Sequence, residues 1–275
     1  MRLTIVHETC QRYDAPVVRS AQVLRLTPPD CLGQRVVAWR LLAPEACDLG
    51  LDGYGNRMHL LTVDGEHRQV CVKAFGTVDV EAMPVRPADE LSSWLFLAAT
   101  DLTEPGDGLR DLSLRYAGRA LTPARLRELS AAIHAQFHTP ARPGARTAAV
   151  IESWESGVGG PVEQAQALIA ACRLLGLPAR LVCGYVLGDE PGGAGVSSHA
   201  WAEVWLAGAW HSADVALQRQ AGARHIRLAV GRDHLDACPM RSMGHGSLHG
   251  GSLIPVAGRG DETLAQVMAG QQQQQ

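Results

Sequence analysis

The sequence predicts an α+β fold built from two parts. Segments rich in β-formers, separated by turn-forming residues, fill positions 1–85, which predicts an antiparallel, sandwich-like region. Between positions 159 and 215, one amphipathic helix, one covered strand and one hairpin follow in that order. The 275 residues are 46% hydrophobic with a formal net charge of −3, enough apolar material for one or two packed domains. We therefore predict a β-rich region at 1–85, a helix-and-sheet core at 86–262 and a disordered tail at 263–275.

The N-terminal region contains five predicted strands. They cover residues 3–8, 17–27, 35–43, 57–63 and 70–80. Pro28-Pro29, Asp52-Gly53 and Asp64-Gly65 separate them as turns. Five strands at this spacing are typical of an antiparallel sandwich.

Two helices are predicted between this region and the helix–strand–hairpin unit. The first covers residues 88–99 between proline-containing segments. The second covers residues 122–137, where Thr122 serves as the N-cap and Pro123 occupies the first helical position.

The segment from Gly159 to Asp214 organises the rest of the chain. Its helix has apolar residues at three-and-four spacing, and Gly176 and Pro178 end it. A mostly apolar strand covers 179–187, and the Ala207-Gly208 turn joins strands at 200–206 and 210–215. The apolar helix positions are Ala165, Leu168, Ile169, Cys172 and Leu175.

These residues carry a family resemblance. The string IAACRLLGLPARLVCGYVL, followed by SSHAWAEVWL and a Trp-containing strand that ends at Asp214, resembles the core of the bacterial transglutaminase-like proteins, relatives of papain-type cysteine proteases. The segment DGYGNRMHLLTV resembles the β-region that precedes such cores. The resemblance implies a cysteine nucleophile at the helix start, a histidine base and an aspartate that orients the base. His199 and Asp214 match the last two, whereas Pro161 stands at the position of the nucleophile.

Pro161 preserves the helix but removes the chemistry that the resemblance implies. Proline suits the first turn of a helix, because its φ angle is already helical and its missing N–H would be unpaired there. Acyl transfer at cysteine needs an activated thiolate and N–H donors for the oxyanion, and Pro161 supplies neither. Glu163 and Gln166 also depart from the family's Asp and His. We predict that these two residues line a small pocket together with Trp201 and Trp210.

No other residue is an evident replacement for the nucleophile. Cys172 lies eleven residues along the same helix, roughly 16 Å from its start. Cys183 and Cys238 belong to a strand and a later loop. Ser197 and Ser198 adjoin His199, but neighbouring strand residues point to opposite faces.

The pair His199 and Asp214 has three interpretations. It is a retained base and orienter beside a pocket, or a buried hydrogen-bonded pair that holds two strands together. The third interpretation is a metal site made of His199, His211 and Asp214, which strand alternation disfavours because His211 and Asp214 are three residues apart. The loop histidines His245 and His249 are expected to be solvated, and no cofactor is expected.

The seven cysteines show no metal-binding spacing and predict reduced core thiols in the cytoplasm. The N-terminus lacks the layout of a signal peptide, and no apolar run approaches the length of a membrane span. No basic stripe with interleaved aromatic residues suggests nucleic-acid binding.

Two functional hypotheses follow. The first is a catalytically inactive transglutaminase-like protein that acts as a binding or scaffold partner; the resemblance implies ATP-grasp-type and α-helical companion proteins. The second is an amide-bond hydrolase or acyltransferase that uses an unrecognised nucleophile, or a water molecule activated by His199.

Overall fold

A computed structural model describes residues 1–140, 147–188, 195–243 and 256–258 as two antiparallel sheets with helices packed on the second sheet. The first sheet contains β1 (Arg2–Leu24), β2 (Gln34–Leu42), β3 (Cys47–Leu51), β4 (Arg57–Val80), β10 (Met240–Met243) and β11 (Val256–Gly258). The second contains β5 (Val85–Arg86), β6 (Ala179–Leu187), β7 (Val196–Leu206), β8 (Ala209–Ala213) and β9 (His225–Gly231). The helices are α1 (Asp107–Leu114), α2 (Pro123–His134), α3 (Val150–Ser156), α4 (Pro161–Leu174) and α5 (His234–Ala237), with a 3₁₀ helix at Ser93–Phe96.

The first sheet has fewer and longer strands than the sequence predicts. The predicted strands at 3–8 and 17–27 are one strand, β1, and those at 57–63 and 70–80 are one strand, β4. Asp64-Gly65 does not reverse the chain, because it lies within β4 opposite a register irregularity between Val17 and Arg19. Gly65 has a φ of +92°, so the turn-forming pair produces a bulge rather than a hairpin.

The register of this sheet shows that β4 bends sharply. Leu42 pairs with Lys73, and Cys47, only five residues later, pairs with Leu61. Five residues reach at most about 18 Å, and two cross-strand steps add about 10 Å. A straight strand would separate residues 61 and 73 by about 40 Å. The sheet therefore curls around its own apolar cluster, which includes Leu24, Leu61 and Val72.

A disulfide corrects the expectation that every cysteine is reduced. Cys10 in β1 and Cys71 in β4 are direct cross-strand partners and are bonded to each other. The pairing depends on the register between two strands 61 residues apart in sequence, which spacing alone does not reveal. The remaining five cysteines, Cys31, Cys47, Cys172, Cys183 and Cys238, are free.

Helix α4 packs on the second sheet through small residues. Buried alanines of α4, including Ala167 and Ala171, share one cluster with Ala200 and Ala202 of β7. Small side chains on both elements allow the helix to approach the sheet closely. The strand order of this sheet is β5-β8-β7-β6-β9, which leaves β9 at one edge.

Two side-chain amides of the first sheet region cover that edge. Gln34 donates to the Arg227 carbonyl at 3.0 Å and accepts from the Arg227 N–H at 2.8 Å. Asn56 makes the same two bonds with Val230, at 2.7 and 2.8 Å. The amides replace a neighbouring strand, so the DGYGN turn serves to dock the first sheet onto the edge of the second.

The helix predictions have mixed outcomes. The helix predicted at 122–137 is confirmed as α2, and the Thr122 hydroxyl accepts from the Arg125 N–H at 3.3 Å. The helix predicted at 88–99 is wrong: only the 3₁₀ turn forms there, because Phe96 alone is buried while Trp94 is 70% exposed. Helices α1 and α3 were not predicted. None of the described helices has the length and apolar character needed to cross a membrane.

The C-terminal part of the chain returns to the first sheet. β10 and β11 both pair with β1, at residues 21–24 and 4–6 respectively. The predicted domain limits remain predictions; the tail at 263–275 and the loop histidines His245 and His249 lie outside the described residues.

Candidate functional site

The candidate site lies on β7 and on the residues that follow β8. Successive residues of β7 point to opposite faces, and Ala200 and Ala202 face α4. His199, Trp201 and Glu203 therefore share the other face. This arrangement brings the two predicted residues His199 and Asp214 together.

Asp214 accepts hydrogen bonds from two histidines. Its Oδ2 atom lies 2.7 Å from Nε2 of His199 and 2.9 Å from Nε2 of His225. The backbone N–H of Leu217 donates to Oδ1 at 3.0 Å. The side chains of His199, Asp214 and His225 are buried. The two imidazoles and the Leu217 N–H together satisfy the carboxylate away from solvent.

The hydrogen bonds determine where the ring protons lie. The Gly222 N–H donates to Nδ1 of His225 at 3.1 Å, so that nitrogen carries a lone pair and Nε2 carries the proton. Burial acts to raise the pKa of Asp214, but the hydrogen bonds from His199 and His225 outweigh it and hold the pKa at about 2. Asp214 is thus an acceptor, and His199 donates its Nε2 proton to it.

A metal ion does not fit these bonds, although the three ligand atoms of His199, Asp214 and His225 lie within 4.8 Å of one another. Coordination through Nε2 of His225 would require its proton to move to Nδ1, where it would oppose the Gly222 N–H. His211, which the metal hypothesis used, is not in this cluster. It lies on β8 between Val204 of β7 and Val85 of β5.

Pro161 is the first residue of α4, after Gly160 as the N-cap. The Glu163 carboxylate accepts from the Gly160 N–H at 3.0 Å, so Glu163 caps the helix. At the other end, the Arg173 side chain donates to the Ala179 carbonyl at the start of β6. Pro161 and Arg173 are twelve positions apart in sequence, so they lie about 18 Å apart along the helix axis.

No cysteine forms a hydrogen bond with His199; all seven belong to the described residues. The nearest resemblance to a Cys-His pair is Cys183, whose Sγ lies 3.9 Å from Nδ1 of His234. Burial raises the pKa of the Cys183 thiol and lowers the pKa of His234 to about 4. Burial likewise raises the pKa of Cys172 to about 12. Both partners of the Cys183 pair are neutral at pH 7, which is the opposite of an activated thiolate.

The remaining predicted pocket residues lie in different surroundings. Trp201 contacts the ring of His225 edge-on at 5.2 Å. Trp210 instead lies beneath the guanidinium of Arg180, 4.0 Å from the ring centre. Gln166 accepts from the His234 N–H at 3.0 Å. Of the four, only Trp201 joins the histidine cluster.

Sequence reasoning missed His225 and the ion cluster beside it. Glu203 accepts from Nε of Arg180 at 2.8 Å and from Nη2 of Arg227 at 2.9 Å. His225 and Arg227 come from β9, and no spacing rule relates them to β7. The available signal is that polar His225 and Arg227 alternate with apolar residues, as in a strand.

Comparisons with known proteins identify the family of this chain. Residues 3–79 match the sequence model of the bacterial transglutaminase-like N-terminal region, and residues 118–215 match that of the transglutaminase-like superfamily. The uncharacterized protein Rv2569c of Mycobacterium tuberculosis is 30% identical over 88% of this chain and 87% of its own length. The uncharacterized protein ML0607 of Mycobacterium leprae is 23% identical over 88% of this chain and 92% of its own.

A solved structure has the same fold. It is a protein of Cytophaga hutchinsonii described as a candidate cysteine protease, with a TM-score of 0.74 and 18% identity over 95% of this chain and 92% of that one. With both sequence regions matched and a relative aligned along most of its length, this chain belongs to the transglutaminase-like superfamily.

Proposed function

We propose that this protein is a transglutaminase-like protein without thiol catalysis, and that it acts as a binding or scaffold partner. The observation that carries the proposal is Pro161 at the first position of α4, where the family resemblance requires a cysteine. Proline has neither a thiol to attack an acyl group nor an N–H to stabilise an oxyanion.

The surroundings of the other cysteines support this proposal. None is hydrogen-bonded to His199, and burial raises the pKa of Cys172 and Cys183 far above neutrality. A thiol that stays protonated at pH 7 is a poor nucleophile.

One observation favours a second candidate, an amide-bond hydrolase that uses water. The hydrogen bond of 2.7 Å between Nε2 of His199 and Asp214 would orient the imidazole as the base in such a reaction. However, the His199 side chain is only 4% exposed, which leaves little room for water and substrate. We therefore rank this candidate second.

Labelling with a cysteine-directed peptidyl electrophile tests the first proposal. Wild type, Pro161→Cys and Pro161→Cys with His199→Ala are compared by mass spectrometry with peptide mapping. Pro123→Cys is the matched control, because Pro123 also begins a helix, α2, but is not part of the candidate site. We expect the thiol introduced by Pro161→Cys to react at least about tenfold faster than the thiol introduced by Pro123→Cys, and the difference to disappear without His199.

Two results would contradict the proposal. His199-dependent labelling of a native cysteine in wild type would reveal an active thiol. Equal labelling rates for the two introduced thiols would show that position 161 does not correspond to the nucleophile position of the family. Hydrolysis of a peptide-amide library that is lost in His199→Ala would support the second candidate instead.

Partners and compartment are further parts of the proposal. We propose ATP-grasp-type and α-helical companion proteins as partners, on the family resemblance alone, and binding to neither nucleic acid nor membrane. The cytoplasm remains our proposed compartment, although the Cys10–Cys71 disulfide is more typical of oxidising compartments. Alkylation of free thiols in intact cells, followed by mass spectrometry of Cys10 and Cys71, tests the compartment. Alkylated cysteines would indicate the cytoplasm, and an intact disulfide would indicate an oxidising compartment.

A further inference from the structure

A concave apolar pocket lies on the side of the molecule formed by the ends of α1 and α4. Its volume is about 410 Å³, within the range typical of ligand and side-chain pockets. Leucines and one tyrosine form the apolar lining: Leu114, Tyr116, Leu121, Leu174, Leu175 and Leu177. Leu114 is 68% exposed and Leu174 is 39% exposed, so apolar surface stays in contact with solvent.

Hydrogen bonds fix the walls of this pocket. The Arg125 guanidinium donates to the carbonyls of Tyr116, Arg119 and Ala120, which sets the path of the loop after α1. It also lies 5.6 Å from the centre of the Tyr116 ring. The pocket is therefore formed before any partner binds, which lowers the entropic cost of binding.

The end of α4 forms the opposite wall in a similarly fixed way. The Leu177 N–H donates to the Cys172 carbonyl at 3.0 Å, and the Gly176 N–H donates to the Arg173 carbonyl at 2.9 Å. Gly176 has a φ of +76°, as this type of helix ending requires. Because these carbonyls are already bonded, the helix end adds little uncompensated negative charge to the pocket.

The charge around the pocket is positive in a chain that is acidic as a whole. Residues 110–127 contain five arginines and one aspartate, whereas the whole chain has a formal net charge of −3. Arg110 and Arg119 line the pocket. Arg110 pairs with Glu104 at 2.8 Å, but no described residue forms a salt bridge with Arg119 or with the exposed Arg115. These two cations are available to a partner.

We propose that this pocket docks an acidic peptide segment of a partner protein, with one or two large apolar side chains as anchors. The concave apolar floor receives the anchors, and carboxylates that flank them pair with Arg119 and Arg115. A flat anionic bilayer could reach the arginines but could not fill a concave pocket. This surface shares no residue with the His199 cluster, so its test is independent of the proposed loss of catalysis.

Selection from a displayed library of random 16-residue peptides tests this proposal on the full-length protein. Peptides retained by wild type are counter-selected on Leu114→Glu, and the survivors are synthesised for affinity measurements. We expect enrichment of Asp and Glu beside Leu, Phe or Trp, and a loss of affinity of about tenfold or more in Leu114→Glu and in Arg119→Glu.

Two variants are matched controls. Leu49→Glu changes a leucine with the same 68% exposure on β3, and Arg40→Glu reverses an exposed arginine on β2. Both should keep the wild-type affinity, and thermal melting should show that all four variants fold. Enrichment of basic peptides, or equal losses in the controls, would overturn the proposal.

Two other occupants give distinct results. Binding of vesicles with anionic lipid that is lost in Leu114→Glu would assign the pocket to a membrane and overturn the peptide proposal. Tighter peptide binding after deletion of residues 259–275 would show that the chain's own C-terminal segment occupies the pocket, which also overturns it.

Discussion

Two buried carboxylates of the second sheet are neutralised in different ways. Glu203 on β7 is surrounded by guanidinium groups, with Arg180 at 2.8 Å and Arg227 at 2.9 Å. Asp214, the residue directly after β8, accepts hydrogen bonds from the imidazoles of His199 and His225. Arginine stays charged at every physiological pH, whereas the charge of an unperturbed histidine changes with pH around its pKa of about 6.5.

One carboxylate is thus held by permanent charges, and the other by hydrogen bonds from imidazoles. Burial acts to raise the pKa of Glu203, but Arg227 and Arg180 outweigh it and keep the pKa below its usual value. Such a cluster joins β6, β7 and β9 permanently. The Asp214 cluster instead joins the carboxylate to two imidazoles through hydrogen bonds.

The largest loss of stability is expected when the Glu203–arginine cluster loses its carboxylate. Glu203→Gln leaves Arg180 and Arg227 buried without their shared counter-charge, so we expect a loss of about 3–5 kcal/mol in the free energy of unfolding. Urea unfolding at pH 7 measures it. The control is Glu104→Gln, which breaks an exposed pair with Arg110 and should cost less than about 1 kcal/mol. Similar losses in both variants would show that the buried ion cluster contributes no more to the free energy of unfolding than an exposed ion pair.

A smaller loss is expected at Asp214. Asp214→Asn offers one carbonyl oxygen where the carboxylate accepted from two imidazoles, so we expect a loss of roughly 3 kcal/mol at pH 7. Urea unfolding is again the measurement. A loss below about 1 kcal/mol would contradict the two hydrogen bonds at Oδ2.

The pH dependence of unfolding separates Asp214 from its neutral variant. The pKa of Asp214 is about 2 in the folded state and 3.8 for a free side chain. Stability from this residue is therefore fully present above about pH 4 and is lost as the pH falls towards 2, by roughly 2 kcal/mol. The difference in unfolding free energy between wild type and Asp214→Asn should shrink across this window. A constant difference would show that the folded protein does not lower this pKa.

A double-mutant cycle tests whether His225 acts through Asp214. His225→Phe removes one donor to the carboxylate and should cost about 1.5–3 kcal/mol. Combined with Asp214→Asn, the two losses should fall short of additivity by at least about 1 kcal/mol. His211→Phe on β8 is the control and should be additive with Asp214→Asn. Additivity for His225 would mean that its bond to Asp214 contributes nothing.

The smallest effect is expected at Pro161. Pro161→Ala keeps the helix start and should cost only about 0.4–1 kcal/mol, because it increases the freedom of the unfolded chain. Pro123→Ala, at the first position of α2, should cost about the same. Thermal melting measures both. A loss above about 2 kcal/mol at Pro161 alone would point to packing that the helix-start argument overlooks.

Local patterns predicted the elements that depend on local physics. The helix of α4, the strand β6 and the β7–β8 hairpin follow from apolar spacing, Gly176 and the Ala207-Gly208 turn. Thr122 and Pro123 likewise predicted α2. The helix expected at 88–99 failed because a helix also needs a face to bury, and only Phe96 finds one.

The amino-acid sequence was enough to predict the family and Pro161 at the helix start, because both rest on residue type and order. Through the family resemblance it also implied that His199 and Asp214 lie together. The three-dimensional structure was needed to show that β4 is one bent strand, that Cys10 is bonded to Cys71, and that His225 rather than His211 contacts Asp214. The physical reason is that strand register and sheet order bring together residues that are far apart in the chain. No local pattern records which of them will meet.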